Sequence, residues 1–214
     1  MTRRLAGVLA DMDGTRVAST AVVVRHWRLF GARHGLDPEP FIVAGHGRRT
    51  SDTLSELAPG LDAHAEAAAI DAGEEADLDG LVAVPGAAEL VAALPSAAWA
   101  VVTSAHRSLA IARLTAVGLP VPDVLVCGDE VSRGKPDPEG YLRAAALLGL
   151  DPGGCVVLED VPAGIAAGRA AGALVVAVAT TFPLADLRGA DAVVADLRDL
   201  PGALARLGCS LPSA

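Results

Sequence analysis

The stretch LAGVLADMDGT, residues 5–15, begins apolar and ends in two acids and a turn. An uninterrupted apolar run of this length that stops at an acid reads as a short buried strand. Asp11 and Asp13 are two residues apart. On extended chain leaving a strand, side chains at that spacing point to the same side, and Gly14-Thr15 supplies a tight turn after them.

Working outward, the same apolar rhythm recurs at WAVVTS (99–104), DVLVCGD (123–129), CVVLED (155–160), ALVVAVAT (173–180) and ADAVVAD (190–196). Helical patterns fit between these runs at 106–117, 138–148 and 162–171. Continuous apolar strands alternating with helices predict a parallel sheet covered on both faces. Residues 16–81 break that rhythm. STAVVVRHWRLFGARHG starts with a Ser/Thr cap and ends at Gly35, TSDTLSELAPG has a cap and a Pro-Gly stop, and DAHAEAAAIDAGEEAD is rich in Ala and Glu. These are marks of helices, and no strand is evident there. The pattern predicts a helical insertion after the first strand: a discontinuous α/β domain of residues 1–15 and 83–214, and an all-helical cap of residues 16–82.

Composition narrows the function classes. The chain has 214 residues, 52% of them hydrophobic, with 3% aromatic residues and a formal net charge of -9. It is long enough to bury a sizeable core. The scarcity of aromatics and the negative charge argue against nucleic acid and anionic membranes as partners. The uncharged runs 90–105 and 170–185 are shorter than a membrane span. Asp11 interrupts the N-terminal apolar stretch, so it does not read as a signal peptide. Cys127, Cys155 and Cys209 lie far apart without metal-binding spacing, as expected of small buried thiols in a reducing cytosol. A cytoplasmic monomer is expected.

Three of the predicted strands end in polar residues: LADMDGT, VVTSAH and VVLEDVPAG. Ligands of parallel α/β sheets bind outside the carboxyl ends of the strands. Asp11, Asp13, Glu159 and Asp160 would crowd there and repel unless a hard divalent cation such as Mg²⁺ sat among them. Thr103, Ser104 and the N–H of Ala105, where a strand turns into a helix, suit an anion. Lys135, in SRGKPDPEGY (132–141), is the single lysine against sixteen arginines. It is a compact point charge on a thin stem, able to enter a gap that a planar guanidinium cannot. Acids, a metal, a hydroxyl and a lysine around one point describe phosphoryl transfer, with one Asp able to act as a nucleophile through an aspartyl-phosphate.

In this order, DMDGT, VVTSA, GKPDP and LEDVPAGIAAGRAAG resemble the four motifs of the haloacid dehalogenase (HAD) superfamily, in its branch of small phosphatases with a helical cap. The resemblance covers essentially the whole chain and implies a Rossmann-like, three-layer α/β/α core. It implies Asp11 as nucleophile and Asp13 as general acid/base. Ser104 and the Ala105 N–H would hold the phosphate, with Lys135 bridging phosphate and Asp11. Mg²⁺ would be held by Asp11, the Asp13 carbonyl and Asp160, with Glu159 acting through water. The cap segment GHGRRTSDTL is similar to a loop in sugar-phosphate, hexitol-phosphate and glycerol-phosphate phosphatases, where Arg49, with His46, Arg48, Thr50 and Asp52, would face a small sugar-phosphate substrate.

A β-phosphoglucomutase-type isomerase would share these motifs. Such mutases tend to carry a histidine early in the cap, where this chain has Val23, with His26 a turn away. A non-catalytic binding protein would be expected to lack one of the acids. After DGT the family usually continues with an apolar residue and later an Asp; here Arg16 and Ala18 stand instead. Both are expected at the seam between core and cap, where Arg16 would influence substrate choice.

Overall fold

The computed structural model describes residues 2–213. In chain order its strands are β1 (Arg3–Arg4), β2 (Gly7–Ala10), β3 (Val17–Ala18), β4 (Val82–Ala83), β5 (Trp99–Val102), β6 (Leu125–Val126), β7 (Cys155–Glu159), β8 (Leu174–Val178), β9 (Ala192–Val194) and β10 (Cys209–Ser210). Its α-helices are α1 (Thr20–His34), α2 (Glu39–Gly45), α3 (Thr50–Leu57), α4 (Ala63–Ala76), α5 (Ala87–Ala93), α6 (Arg107–Ala116), α7 (Glu139–Leu148), α8 (Pro162–Ala170) and α9 (Leu200–Arg206).

Six strands form one parallel sheet in the order β6-β5-β2-β7-β8-β9. The chain enters at β2, builds β5 and β6 on one side, then crosses to β7, β8 and β9 on the other. The strand order therefore reverses at β2, and Asp11 leaves the sheet at that switch point.

Both faces of the sheet are covered, which is why its strands read as continuous apolar runs. Val8, Ala10, Val101, Val156 and Leu158 pack with Leu90, Leu114, Leu200 and Leu204 from α5, α6 and α9. The alternate residues Leu9, Ala100, Val102 and Val157 pack with Tyr141, Ala144, Ile165 and Ala167 from α7 and α8. Helix α8 comes unusually close: a Cβ on Gly164 would overlap the Glu159 carboxylate, and one on Gly168 would lie 2.8 Å from Val157.

Helices α1–α4 lie between β3 and β4 and have a core of their own, built from Trp27, Phe30, Phe41, Ile42, Leu54 and Ile70. Trp27 stacks on Phe41 at 5.6 Å and meets Phe30 edge-on at 5.7 Å. A small helical unit has little interior, and large rings supply buried area that alanine cannot. Among the described residues, no helix is long and apolar enough to cross a membrane.

Two strand pairings run beyond the sequence expectation. Val17–Ala18 pairs antiparallel with Val82–Ala83 where the chain leaves for the cap and returns, although no strand is evident from the sequence at 16–81. Arg3–Arg4 pairs with Cys209–Ser210. Pairings of two residues carry no periodic signal.

Arg16 corrects a second expectation. It does not line the seam: its side chain is fully buried over the Trp99 ring, 4.7 Å from the centroid, and among the described residues none of its three guanidinium nitrogens has a hydrogen-bond partner. The reason is local. The Arg16 N–H donates to Met12 and its carbonyl accepts from Val84, so the backbone turns the side chain into the core. Burial pulls its pKa down to about 10, against the opposing pull of Asp11. The Arg16→Leu variant is therefore expected to gain about 1–3 kcal/mol of stability, as when buried ions are replaced by apolar groups. Urea unfolding measures it, and a less stable Leu variant would contradict this account of the buried cation.

Candidate active site

The carboxyl ends of β2, β5 and β7 bring the expected residues together. Lys135 lies in the loop before α7, and its ammonium reaches back beneath the switch point. Nζ donates to Asp11 Oδ1, pairs with Glu159 Oε1 at 2.6 Å and contacts the Val102 carbonyl at 3.3 Å. The Tyr141 ring lies 5.4 Å away, and its hydroxyl donates to the same Glu159 oxygen at 2.6 Å. Burial opposes the lysine charge, but Asp11 and Glu159 more than offset it and hold the pKa above that of a free lysine.

Asp11, Glu159 and Asp160 are all buried and each offers a carboxylate oxygen within 4.8 Å of the others. Burial pushes Asp11 up to about 8, with Lys135 opposing and Glu159 and Asp13 adding to the rise. Asp160 lies well above the usual carboxylate range, through burial first and then through Asp11 and Glu159. Such a set carries more negative charge than one lysine balances. Its donors are all oxygen, which suits a hard divalent cation. Gly14 has φ 79°, and a Cβ there would overlap the Asp160 carboxylate, so the turn after Asp13 must be glycine for the two loops to meet.

An open cavity lies between this cluster and the cap. Asp11, Asp13, Ser104, Ala105 and Asp160 line its floor, and His46 and Arg48 from the loop between α2 and α3, with Thr50 at the start of α3, line its roof. Lys135 and Arg49 line instead a smaller cavity beside it. Ser104 Oγ donates to the Gly47 carbonyl of the cap at 2.8 Å, and the Ala105 N–H donates to Thr103 Oγ1 at 3.1 Å.

Arg49 does not enter the larger cavity. Asp52, three residues on, holds its guanidinium by two bonds of 2.7 and 2.9 Å, and Nη1 donates to the Val131 carbonyl at 3.1 Å. It thus ties the cap to the core loop that carries Lys135. Ala18 is exposed on the ribbon with Val82, away from the cavity. Val23 lines the cavity, whereas His26 faces Asp77 at 3.1 Å.

Several lining residues escape a reading of the sequence. Ser19, at the start of α1, donates to Asp13 Oδ1 at 2.6 Å and makes no helix-capping bond. Asp71 and Glu74, from the Ala/Glu-rich helix α4, and Arg113, from α6, form the far wall. Asp71 accepts from Thr50 Oγ1 at 3.2 Å and meets His106 at 3.0 Å. The spacing Asp71-x-x-Glu74 places both on one helix face, but nothing in the sequence says that the face is covered.

The chain matches the haloacid dehalogenase-like hydrolase family across residues 5–172. It is 40% identical over 202 residues to hexitol phosphatase A of Escherichia coli (strain K12), with 92% of this chain and 94% of that protein covered. It is 35% identical over 213 residues to glycerol-1-phosphate phosphohydrolase 2 of Saccharomyces cerevisiae, with 91% and 83% covered. The crystal structure of a hydrolase from Pseudomonas syringae superposes on it with a TM-score of 0.85 at 26% identity, covering 94% of this chain and 99% of that one. Sequence and architecture agree over nearly the full length, and the chain belongs to the haloacid dehalogenase-like hydrolase family.

Proposed function

We propose that this protein is a Mg²⁺-dependent phosphatase that hydrolyses phosphate monoesters of small polyhydroxy compounds, sugar or sugar-alcohol phosphates, through an aspartyl-phosphate on Asp11. The observation that carries this reading is the burial of Lys135 between Asp11 and Glu159 at the switch point of the sheet, with Asp160 beside them. That arrangement suits a dianionic phosphoryl group together with a divalent cation.

Asp11, Asp160 and the Asp13 carbonyl are the oxygens proposed to hold Mg²⁺, which when bound would balance the carboxylates and the developing charge on the phosphoryl oxygens. The remaining chemistry belongs to side chains. An Asp11 carboxylate oxygen attacks phosphorus, the ester P–O bond breaks, and the departing oxygen takes a proton from the Asp13 carboxyl to leave as an alcohol. Water then attacks the phosphorus of the aspartyl-phosphate and gives a proton to the Asp13 carboxylate. The acyl P–O bond breaks, and Asp11 and inorganic phosphate are released. Ser104 Oγ, the Ala105 N–H and Lys135 are the donors proposed for the phosphoryl oxygens.

Two features support a polyhydroxy leaving group. Relatives are named for hexitol and glycerol phosphates. The cavity roof and far wall carry His46, Thr50, Asp71 and Glu74, which can hydrogen-bond hydroxyls. The mutase alternative finds no early cap histidine in the cavity, since Val23 is there and His26 is turned away.

The Asp11→Asn variant is expected to stay folded and to lose at least about 10⁴-fold in turnover, as nucleophile removal does elsewhere. Phosphate release from sorbitol 6-phosphate and glycerol 1-phosphate measures it, and near-normal release would exclude the covalent route. Chelation by EDTA is expected to abolish activity and added Mg²⁺ to restore it.

Lys135→Arg is expected to cost about 10²-fold or more in kcat, nearly as much as Lys135→Ala, because a planar fork cannot fit where a single ammonium touches two carboxylates. A fully active Arg variant would show that charge alone suffices.

Arg49→Ala is expected to weaken the hold of the cap on the core, and so to lower kcat/KM by a similar factor for sorbitol 6-phosphate and for p-nitrophenyl phosphate. A loss confined to the sugar-alcohol ester would instead put Arg49 on the substrate.

A further inference from the structure

Arg113 is 2% exposed and sits in the last turn of α6, outside the four motifs. Its Nη1 donates to Asp13 Oδ1 at 2.7 Å, and its Nη2 donates to Glu74 Oε2 at 2.8 Å. One guanidinium thus joins a carboxylate of the core motif loop to a carboxylate of the cap. Ser19 Oγ bonds the same Asp13 oxygen, Oδ1, at 2.6 Å. With both donors on Oδ1, Asp13 Oδ2 is the oxygen left for the cavity that Asp13 lines.

We propose that Arg113 is a positioning residue for the leaving-group proton: it fixes Asp13 through Oδ1, and Glu74 completes that hold only when the cap lies on the core. The proposal rests on the reading of Asp13 as the acid of a phosphatase. The physics is that of a fork gripped on both sides. A guanidinium bound by one carboxylate can swing about that contact, whereas bound by two its plane is set. Burial makes the bonds directional and exacting, since an Arg in this place has no water to fall back on. Glu74 itself is a costly group to bury, pushed up to about 7 by burial with Arg113 opposing. It lies on α4, which packs against α6. Helix α4 of the cap thus reaches Asp13 through a bridging cation, beside the direct bond from Ser19 at the start of α1. When the cap lifts, Glu74 leaves and Arg113 retains only its Asp13 contact. Alcohol departure, which takes the proton from Asp13, is then favoured in the docked state.

The test exploits the leaving group. A p-nitrophenolate leaves without a proton, whereas an alkoxide from glycerol or sorbitol needs one. The quantity to read is kcat/KM, which includes only the steps up to departure of the alcohol. Arg113→Met is expected to lower kcat/KM for glycerol 1-phosphate by about 10²-fold or more, the usual scale of acid catalysis, and for p-nitrophenyl phosphate by much less. Arg113→Lys, which keeps the charge and the fold but loses the fork, is expected to show the same imbalance to a smaller degree, and it stands in if the Met variant does not fold. Glu74→Ala is expected to act mainly on glycerol 1-phosphate in the native background and to cost nothing further beside Arg113→Met. An equal loss on both esters would make Arg113 a structural residue, and a loss in KM alone would make it a substrate contact; either overturns the proposal. Additive losses for Glu74 and Arg113 would overturn the link to the cap. A native protein that releases no phosphate from either ester would instead refute the phosphatase reading on which the proposal stands.

Discussion

Three buried carboxylates meet one buried ammonium at the centre of the sheet edge, and the rest of the structure is arranged around that meeting. Each ion taken out of water costs several kcal/mol unless it is paired in good geometry. Lys135 pairs with Asp11 and Glu159 at once, and Tyr141 and the Asp160 N–H take up the remaining capacity of Glu159. The ammonium can do this because it is compact and its three hydrogens turn freely. Elsewhere the chain uses arginines as forks: Arg49 between Asp52 and a carbonyl, Arg107 between Glu130 and the Leu125 carbonyl, Arg113 between Asp13 and Glu74. The single lysine stands where one small cation meets two buried carboxylates.

Holding that cluster together requires three chain segments to approach closely, and small residues make this possible. The Ala/Gly-rich α8 lies so near β7 that Gly164 abuts the Glu159 carboxylate. Gly14 lets the Asp13 turn meet Asp160. An interior built from alanine and glycine buries less area per residue than one built from leucine, but it brings backbones close. Three of the six aromatic residues, Trp27, Phe30 and Phe41, fill the cap, where such close approach is not needed.

What was legible in the sequence followed from period and adjacency. The main strands were readable because burial on both faces leaves uninterrupted apolar runs, and their polar ends named Asp11, Ser104, Glu159 and Asp160 as neighbours before any strand order was known. The order β6-β5-β2-β7-β8-β9 was not readable, since any parallel arrangement leaves the same runs. Arg16 was misread because a cation after a turn is normally solvated, and only the pairing with Met12 and Val84 shows that the backbone points it inward. Arg49 was placed in the right loop but not on the right partner: Asp52 was visible at i+3, whereas the Val131 carbonyl lies 82 residues away. Glu74 and Arg113 left no signal at all, because a charged residue in an amphipathic helix reads as a solvated face until a second helix is known to cover it.

Several contacts that hold the cap to the core are polar: Ser104 to Gly47, Arg49 to Val131, Asp71 to His106 and Glu74 to Arg113, beside the edge-on meeting of His46 with Phe182 at 5.6 Å. Apolar contact would gain stability in proportion to area and would resist opening. Directed polar contacts contribute little each and can be exchanged for water or for ligand. One of them uses the hydroxyl of Ser104, a donor proposed for the phosphoryl group, so a bound phosphate and the Gly47 carbonyl compete for the same hydrogen. On the proposed function, substrate binding would loosen one cap contact at the floor, while hydroxyls of the leaving group would offer new ones to Thr50 at the roof and to Asp71 and Glu74 at the far wall. On that reading the cap would transfer its hold from the protein to the substrate, and an ester too short to reach the roof and far wall would give up that second hold.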